Sequence, residues 1–233
     1  MRVVLIHGAW GTAASWDEFT AAWGDRSPAV ETITLPSEDA TSDLHADADA
    51  VVTLCNGIDD DVVLVAHSYG GAVATQASTA IPRLRGIVYV AAFRPEPGTS
   101  VSEMARRAGE RSQLDAAINL EGSQLFLNMD LAPAALYGHA SAEVVARNLA
   151  LLHRQSILTF QQNVDAAVPD NVRTHYVICM EDLAVPVDIQ EQMAATCETS
   201  SRLIASHCPQ NEEPTFLVSD LLSVFNGWAI TTT

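Results

Sequence analysis

The chain has 233 residues, 48% hydrophobic and 18% charged. That is enough for one well-buried α/β domain and too little for two domains joined by a linker. The formal net charge of −17 disfavours nucleic acid and anionic membrane surfaces as partners, and all 12 basic residues are arginine, so Schiff-base lysines, pyridoxal phosphate chemistry, Walker-type loops and Ser–Lys dyads are excluded.

Short runs rich in Val and Ile alternate with longer helical patterns, which predicts a parallel sheet covered on both faces. The first strand covers 2–6, RVVLI. No charged leader or small-residue cleavage site precedes it, and a cytoplasmic protein is expected. A glycine-rich loop, HGAWG (7–11), comes next, then a helix over 15–24 that carries Trp16 and Trp23 as packing residues. A strand at 30–34 precedes a helix over 43–56, for which Ser42 or Asp43 offers the N-cap. A strand at 62–66, a helix at 70–80 and a strand at 86–90 complete the first half.

The alternation then breaks for more than eighty residues. RPEPGTS (94–100) is rich in turn residues, and helical patterns follow near 101–109, 112–119, 141–152 and 155–162. Residues 94–169 are therefore expected to form a helical cap over a core built from 1–93 and 170–233. Strands at 174–179 and 201–205, with helices at 187–198 and 214–227, complete the pattern. The fold class is α/β, with about six mostly parallel strands in a doubly wound sheet. The threonines at 231–233 are the one low-complexity stretch. No apolar run reaches the ~18 residues of a membrane span. The four cysteines show neither C-x-x-C spacing nor paired histidines, so no metal or other cofactor is expected.

VVLVAHSYGG (62–71) is a buried-strand sequence that stops at a serine set among small residues. This is the nucleophile-elbow pattern, in which a strand turns sharply into a helix and exposes Ser68 at the carboxyl edge of the sheet. Ala66 and Gly70 are small because strand and helix nearly touch there. A serine hydroxyl needs a base, a group that orients the base, and donors for the oxyanion. His207, in the loop LIASHCP after the last strand, is the expected base. His175 lies inside a strand, and His139 and His153 fall in the cap, where the base does not belong. Glu181 and Asp182, directly after the strand at 174–179, are the acid candidates; Glu96, past the fourth strand, is a lesser one. The oxyanion donors are expected to be the amides of Tyr69, which follows the nucleophile, and Ala9, with Gly8 letting the backbone swing in. His7 and His67 read as structural, hydrogen-bonded histidines. Trp10 is expected near the pocket mouth, as a substrate-binding residue.

Taken together, these segments resemble the α/β-hydrolase superfamily. More narrowly, they are similar to bacterial carboxylesterases related to the plant methyl-ester esterases and hydroxynitrile lyases. The resemblance rests on VVLIHGAWG, VVLVAHSYGG, VYVAAFRPEPG, CMEDLAVP and ASHCP, and spans nearly the whole chain. It implies the α/β-hydrolase fold and, through the family's Asp-x-x-x-Pro turn, selects Asp182 over Glu181. Ala66 stands where glycine is usual. Cys208 stands where the lyases carry a lysine that holds the departing cyanide, so lyase activity is not expected. PQNEEP after His207 departs from the family's apolar continuation. A serine at the elbow is at odds with dehalogenase or epoxide hydrolase chemistry, which needs a carboxylate nucleophile.

The expected function is hydrolysis of an uncharged small-molecule carboxylic ester, lactone or thioester through an acyl-enzyme on Ser68. The alternative keeps the site but not the net hydrolysis: a protein that binds, or in cyclase fashion reshapes, a small apolar metabolite.

Overall fold

Along each central strand, successive side chains point to opposite faces, and both faces are buried. Val3, Leu5, Val63, Val65, Val88 and Val90 pack on one face; Val4, Ile6, Leu64, Ile87, Tyr89 and Tyr176 pack on the other. In a computed structural model, which describes residues 1–109 and 112–228, these runs form a six-stranded parallel sheet. The threonines at 231–233 lie outside the described residues.

The first half of the chain contains β1 (Arg2–Ile6), α1 (Asp17–Trp23), β2 (Ala29–Ile33), α2 (Leu44–Asn56), β3 (Val62–His67), α3 (Gly70–Ala77) and β4 (Leu84–Val90). The insert follows with α4 (Val101–Ala108), β5 (Ile118–Glu121), β6 (Gln124–Leu127), α5 (Ala132–Leu136), α6 (Ala142–Leu149), β7 (Gln155–Ser156) and α7 (Leu158–Gln161). The chain then returns through β8 (Arg173–Cys179), α8 (Val187–Ala194), β9 (Thr199–Leu203), α9 (Pro209–Glu212) and α10 (Pro214–Gly227). The sheet order is β2-β1-β3-β4-β8-β9. This order puts the carboxyl ends of β1, β3, β4 and β8 side by side along one edge.

Trp16, Phe19 and Trp23 join Leu217, Leu221 and Phe225 of α10 against one face. Val51 of α2, Ala74 of α3 and Ile189 of α8 cover the other. Each such side chain contributes roughly 1.5–3 kcal/mol when fully buried, and the sheet edge therefore rests on a rigid base. The α2 N-cap is Asp43, whose Oδ1 accepts the Ala46 N–H at 2.9 Å. The last strand lies two residues earlier than its apolar letters suggest, at Thr199–Leu203. As the sheet's outer strand it pairs only with β8 and carries mostly exposed or half-buried side chains, so the hydrophobic signal that marks the central strands is missing.

The insert differs more. Helices occupy the expected places at α4 and α6, but 112–119 and 155–162 are not the helices that the apolar spacing suggests. Residues 115–117 make a single 3-10 turn, and β5, β6 and β7 form a three-stranded antiparallel sheet. Gly122 adopts φ +62° between β5 and β6, and Gly122–Ser123 is a two-residue hairpin turn of the kind such a pair favours. On β6, Leu125 and Leu127 are buried and alternate with half-buried Gln124 and Phe126, a period of two that four residues are too few to advertise. Leu125, Leu127, Ala132, Leu136 and Tyr137 then build a separate small core above the sheet edge. Among the described residues no helix is long and apolar enough to cross a membrane, and no cluster suited to a metal ion occurs.

Candidate active site

β3 ends at His67, and the chain reverses direction at once into α3. Ser68 sits in that turn with φ +53°, a left-handed conformation that costs a non-glycine residue about 1–3 kcal/mol. The end of β4 braces it: the Ser68 N–H donates to Val90 O at 3.2 Å, and Ser68 O accepts the Phe93 N–H at 3.0 Å. Close approach explains the small neighbours. A Cβ on Gly70 would lie 2.6 Å from His7 O, and one on Gly8 would lie 2.9 Å from the Ser68 Cβ. Gly8 is thus required for contact with the elbow rather than for an unusual backbone angle. The unusual angle belongs to Trp10, at φ +59°.

Ser68, His207 and Asp182 stand in one buried hydrogen-bonded chain. Ser68 Oγ donates to His207 Nε2 at 2.9 Å, and His207 Nδ1 donates to Asp182 Oδ2 at 2.8 Å. The three residues are 8%, 2% and 5% exposed, in the order serine, histidine, aspartate. Asp182 Oδ1 accepts the Ala184 and Val185 amides at 2.7 and 2.9 Å, and Oδ2 also accepts from Gln190 Nε2 at 2.9 Å. Donors on both oxygens fix the carboxyl group in direction. The backbone tightens at the turn that ends in Pro186, which starts α8 and brings Gln190 underneath the acid.

The other candidates lie elsewhere. Glu181 is exposed and pairs with His139 of the insert. Glu96 is exposed and lines a separate cleft with Arg94. His175 is buried on β8 and bonds Thr199 and Ser201 of the adjacent strand. His7 bridges two main-chain groups: its Nδ1 donates to Gly8 O at 2.7 Å, and its Nε2 accepts the Leu35 N–H at 3.0 Å. Burial lowers its pKa to about 4, so it is neutral scaffolding. His67 is pushed well below its ordinary value by burial and, next, by the nearby His207. Its Nε2 donates to His207 O at 2.8 Å, and Gln210 donates to its Nδ1 at 3.4 Å. His67 thereby pins the main chain of the residue that faces Ser68.

The Ala9 and Tyr69 amides donate to no acceptor among the described residues. Both residues border the cavity that exposes Ser68 and His207. The cavity holds about 40 Å³ of free space, and its walls include Trp10, Phe93, Leu114, Ile118, Phe160 and Ile189. Asp115 is its one charged neighbour besides the site itself, and burial pushes that carboxyl up. Trp10 is not at the mouth but 4% exposed and tilted against Phe160 at 5.7 Å between ring centroids. A second cavity of about 30 Å³ borders the other side of Ser68 and His207, next to Tyr137, Cys208 and Gln210.

Two residues that contact the site escape the sequence motifs. Gln190 lies eight positions beyond Asp182 on a helix, and no local pattern marks it. Asp47 does leave a signal. It falls on the buried stripe Leu44, Asp47, Ala48, Val51, Cys55 of α2, where a carboxyl needs a partner. The partner is Tyr69, whose hydroxyl donates to Asp47 Oδ2 at 2.6 Å.

Comparison with known proteins places the chain among its relatives. The sequence model of the Alpha/beta hydrolase family matches residues 3–220. The chain is 25% identical to Methylesterase 7 of Arabidopsis thaliana, in an alignment covering 98% of this chain and 97% of that protein. It is 35% identical over 115 residues to the carbendazim hydrolyzing esterase of Nocardioides sp. (strain SG-4G), covering 45% of this chain and 47% of that one. Among solved structures, a pyrethroid hydrolase from Sphingobium faniae JZ-2 superposes with a TM-score of 0.83 at 19% identity, covering 99% of both chains. That likeness concerns the fold.

Proposed function

The chain belongs to the alpha/beta hydrolase family, and from that membership we propose that it is a serine hydrolase of uncharged small-molecule carboxylic esters. The observation that carries the reading is the continuous chain from Ser68 Oγ through His207 to Asp182 at the floor of an apolar cavity. Ser68 attacks the ester carbonyl while His207 Nε2 takes the hydroxyl proton. Asp182 keeps the imidazole in the Nδ1–H tautomer and stabilises the imidazolium. The Ala9 and Tyr69 amides receive the tetrahedral oxyanion. His207 returns the proton to the departing alcohol, and water then cleaves the acyl-enzyme by the same route in reverse.

The cavities on the two sides of Ser68 and His207 divide the ester, one for the acyl part and one for the alcohol part. The apolar lining favours uncharged groups, and the −17 net charge disfavours anionic esters. The similarity to Methylesterase 7 and to the carbendazim hydrolyzing esterase supports ester cleavage. Four free cysteines, three of them buried, fit a reducing compartment, the cytoplasm.

The test is hydrolysis of p-nitrophenyl esters from acetate to octanoate, alongside fluorophosphonate labelling. Turnover on esters of this panel, with both turnover and labelling lost in Ser68→Ala, is the expected result. Persistence of either in that variant would overturn the assignment of Ser68. Stoichiometric labelling without turnover on any ester would favour the alternative of a metabolite-binding or cyclase-like protein.

A further inference from the structure

The HGAWG loop closes with a hydrogen bond from the Gly11 N–H to Gly8 O at 3.3 Å. Gly8–Gly11 is therefore a β-turn with Ala9 and Trp10 at its centre. Ala9 has an ordinary negative φ, whereas Trp10 has φ +59°, which is the type II pattern. That turn calls for glycine or asparagine at its third position, because a side chain there is strained. A tryptophan in this place is held from outside.

The holding groups all come from the insert. Buried Gln155 of β7 accepts the Trp10 N–H through Oε1 at 3.2 Å. The His153 N–H donates to Trp10 O at 3.0 Å, and His153 Nε2 bonds Gly11 O. Gln155 is itself fixed, since its Nε2 donates to Thr159 Oγ1 at 2.8 Å and Thr159 Oγ1 donates to Ser156 O at 2.7 Å. Three main-chain atoms of the loop are thus gripped by two residues of one short cap segment.

We propose that Gln155, assisted by His153, is a positioning residue that holds the Gly8–Gly11 turn, with its strained Trp10, in the place where the Ala9 N–H meets the oxyanion of the reacting carbonyl. Type I and type II turns differ mainly by a flip of the central peptide. Without the grip the strained Trp10 relaxes to a negative φ by that flip. The Ala9 carbonyl then swings round, and the turn, freed from the cap at three main-chain atoms, shifts and carries the Gly8–Ala9 peptide, whose N–H is the oxyanion donor, out of register with Ser68. The cap therefore supplies donor geometry as well as a pocket wall. This inference rests on the reading of Ala9 as an oxyanion donor.

The experiment is a double-mutant cycle between Gln155→Leu and Trp10→Gly. In the natural Trp10 background, Gln155→Leu is expected to lower kcat on p-nitrophenyl acetate about tenfold and leave KM within about twofold. Binding of a trifluoromethyl ketone, whose hydrate-like adduct with Ser68 carries the same oxyanion, should weaken by a similar factor. In the Trp10→Gly background, adding Gln155→Leu should change kcat by less than about twofold, because glycine holds φ +59° unaided. A merely structural role would lower kcat equally in both backgrounds, and that result overturns the proposal, as does an unchanged kcat in Gln155→Leu. His153→Ala, at a half-buried position, gives the same split at smaller size should Gln155→Leu not fold; an unchanged kcat there likewise overturns the grip. The amide resonances of Ala9 and Trp10 in the ligand-free protein separate the two layers. A large shift of both on Gln155→Leu in a protein without esterase activity would sink the hydrolase reading and keep the grip; an active protein with unshifted amides would do the opposite.

Discussion

The strand ends and the insert face each other across the same cavity, yet they are built on different principles. Ser68, Asp182 and their supports hang from strands whose alternate side chains are buried on two faces. A shift there by one residue would turn every apolar side chain to the wrong face, so these residues keep their positions. The insert has a core of its own, assembled from short segments and the Trp10 loop. On the reading proposed above, the difference separates two tasks: the sheet edge sets whether the reaction occurs, and the insert sets what fits and how the oxyanion loop is held.

Changes at the sheet edge should therefore lower kcat for every ester alike. The largest effect is expected for Ser68→Ala, with kcat falling by about 10⁵ or more, measured on an acyl-length panel with the protein's melting curve as a control. Asp182→Asn should cost on the order of 10⁴ in kcat, because the amide no longer favours the Nδ1–H tautomer of His207. Glu181→Gln, one residue away, should stay within about twofold. If the two exchanged behaviour, Glu181 would be the orienting acid and the geometry at Asp182 would be misassigned.

Gln190→Leu is a smaller break on the same side. It removes the donor to Asp182 Oδ2 and leaves the Cys179 N–H without its acceptor at 2.9 Å. Hydrogen bonds to charged groups are worth about 1.5–3 kcal/mol, so kcat should fall about 10–100-fold with KM nearly unchanged. An equal loss in KM would mean that Gln190 shapes the pocket instead of orienting the acid.

The insert should answer differently. Phe160 stacks on Tyr69 with centroids 5.5 Å apart and tilts against Trp10. Phe160→Ala is expected to raise the hexanoate-to-acetate ratio of kcat/KM several-fold, since it removes a wall of the cavity beside Ser68. Stability should fall by about 1–3 kcal/mol, below the ~3–5 kcal/mol of a fully buried phenylalanine, because Phe160 is only half-buried. A uniform loss on all esters would erase the division between the two regions.

The same contrast governs what the sequence reveals. The four inner strands are legible to within two residues because β-branched runs bounded by turn residues have few other uses. The elbow, the acid turn and the histidine loop follow from those strands, since each is a short segment fixed to a strand end. The insert is less legible. QLFL carries a period of two over too few residues, and the Gly122–Ser123 turn is its clearer mark. LTFQ reads as one longer helix because the spacing of Leu and Phe is compatible with both. Gln190 and Gln155 act through contacts formed only after the chain has folded, across 8 and 145 positions respectively, and no local pattern encodes such partners.

Tyr69 stands where the two regions meet, and its support from the sheet side gives the finest test. Phe160 covers its ring from the insert, and Asp47 accepts its hydroxyl from α2. Asp47 is fully buried. Burial raises its pKa to about 7, although the hydrogen bond from Tyr69 pulls it down. In the unfolded chain the same carboxyl ionises near pH ~4. Between those values the folded protein keeps a proton that the unfolded chain has released, so stability from this residue is full below about pH 4 and declines as pH rises to about 7. An asparagine in its place would not ionise, and the side-chain carbonyl could still accept the Tyr69 hydroxyl. Asp47→Asn should therefore match the natural protein in urea unfolding near pH 4 and exceed it at about pH 8, on the order of 2–4 kcal/mol at ~1.4 kcal/mol per tenfold change in proton affinity. All other titrating groups are common to both proteins, so they cancel in the difference. A gap that stayed constant between the two pH values would mean that Asp47 remains ionised beneath Tyr69. The phenol would then be anchored by a charge on the sheet side, and the Phe160 stack would be the weaker of its two supports.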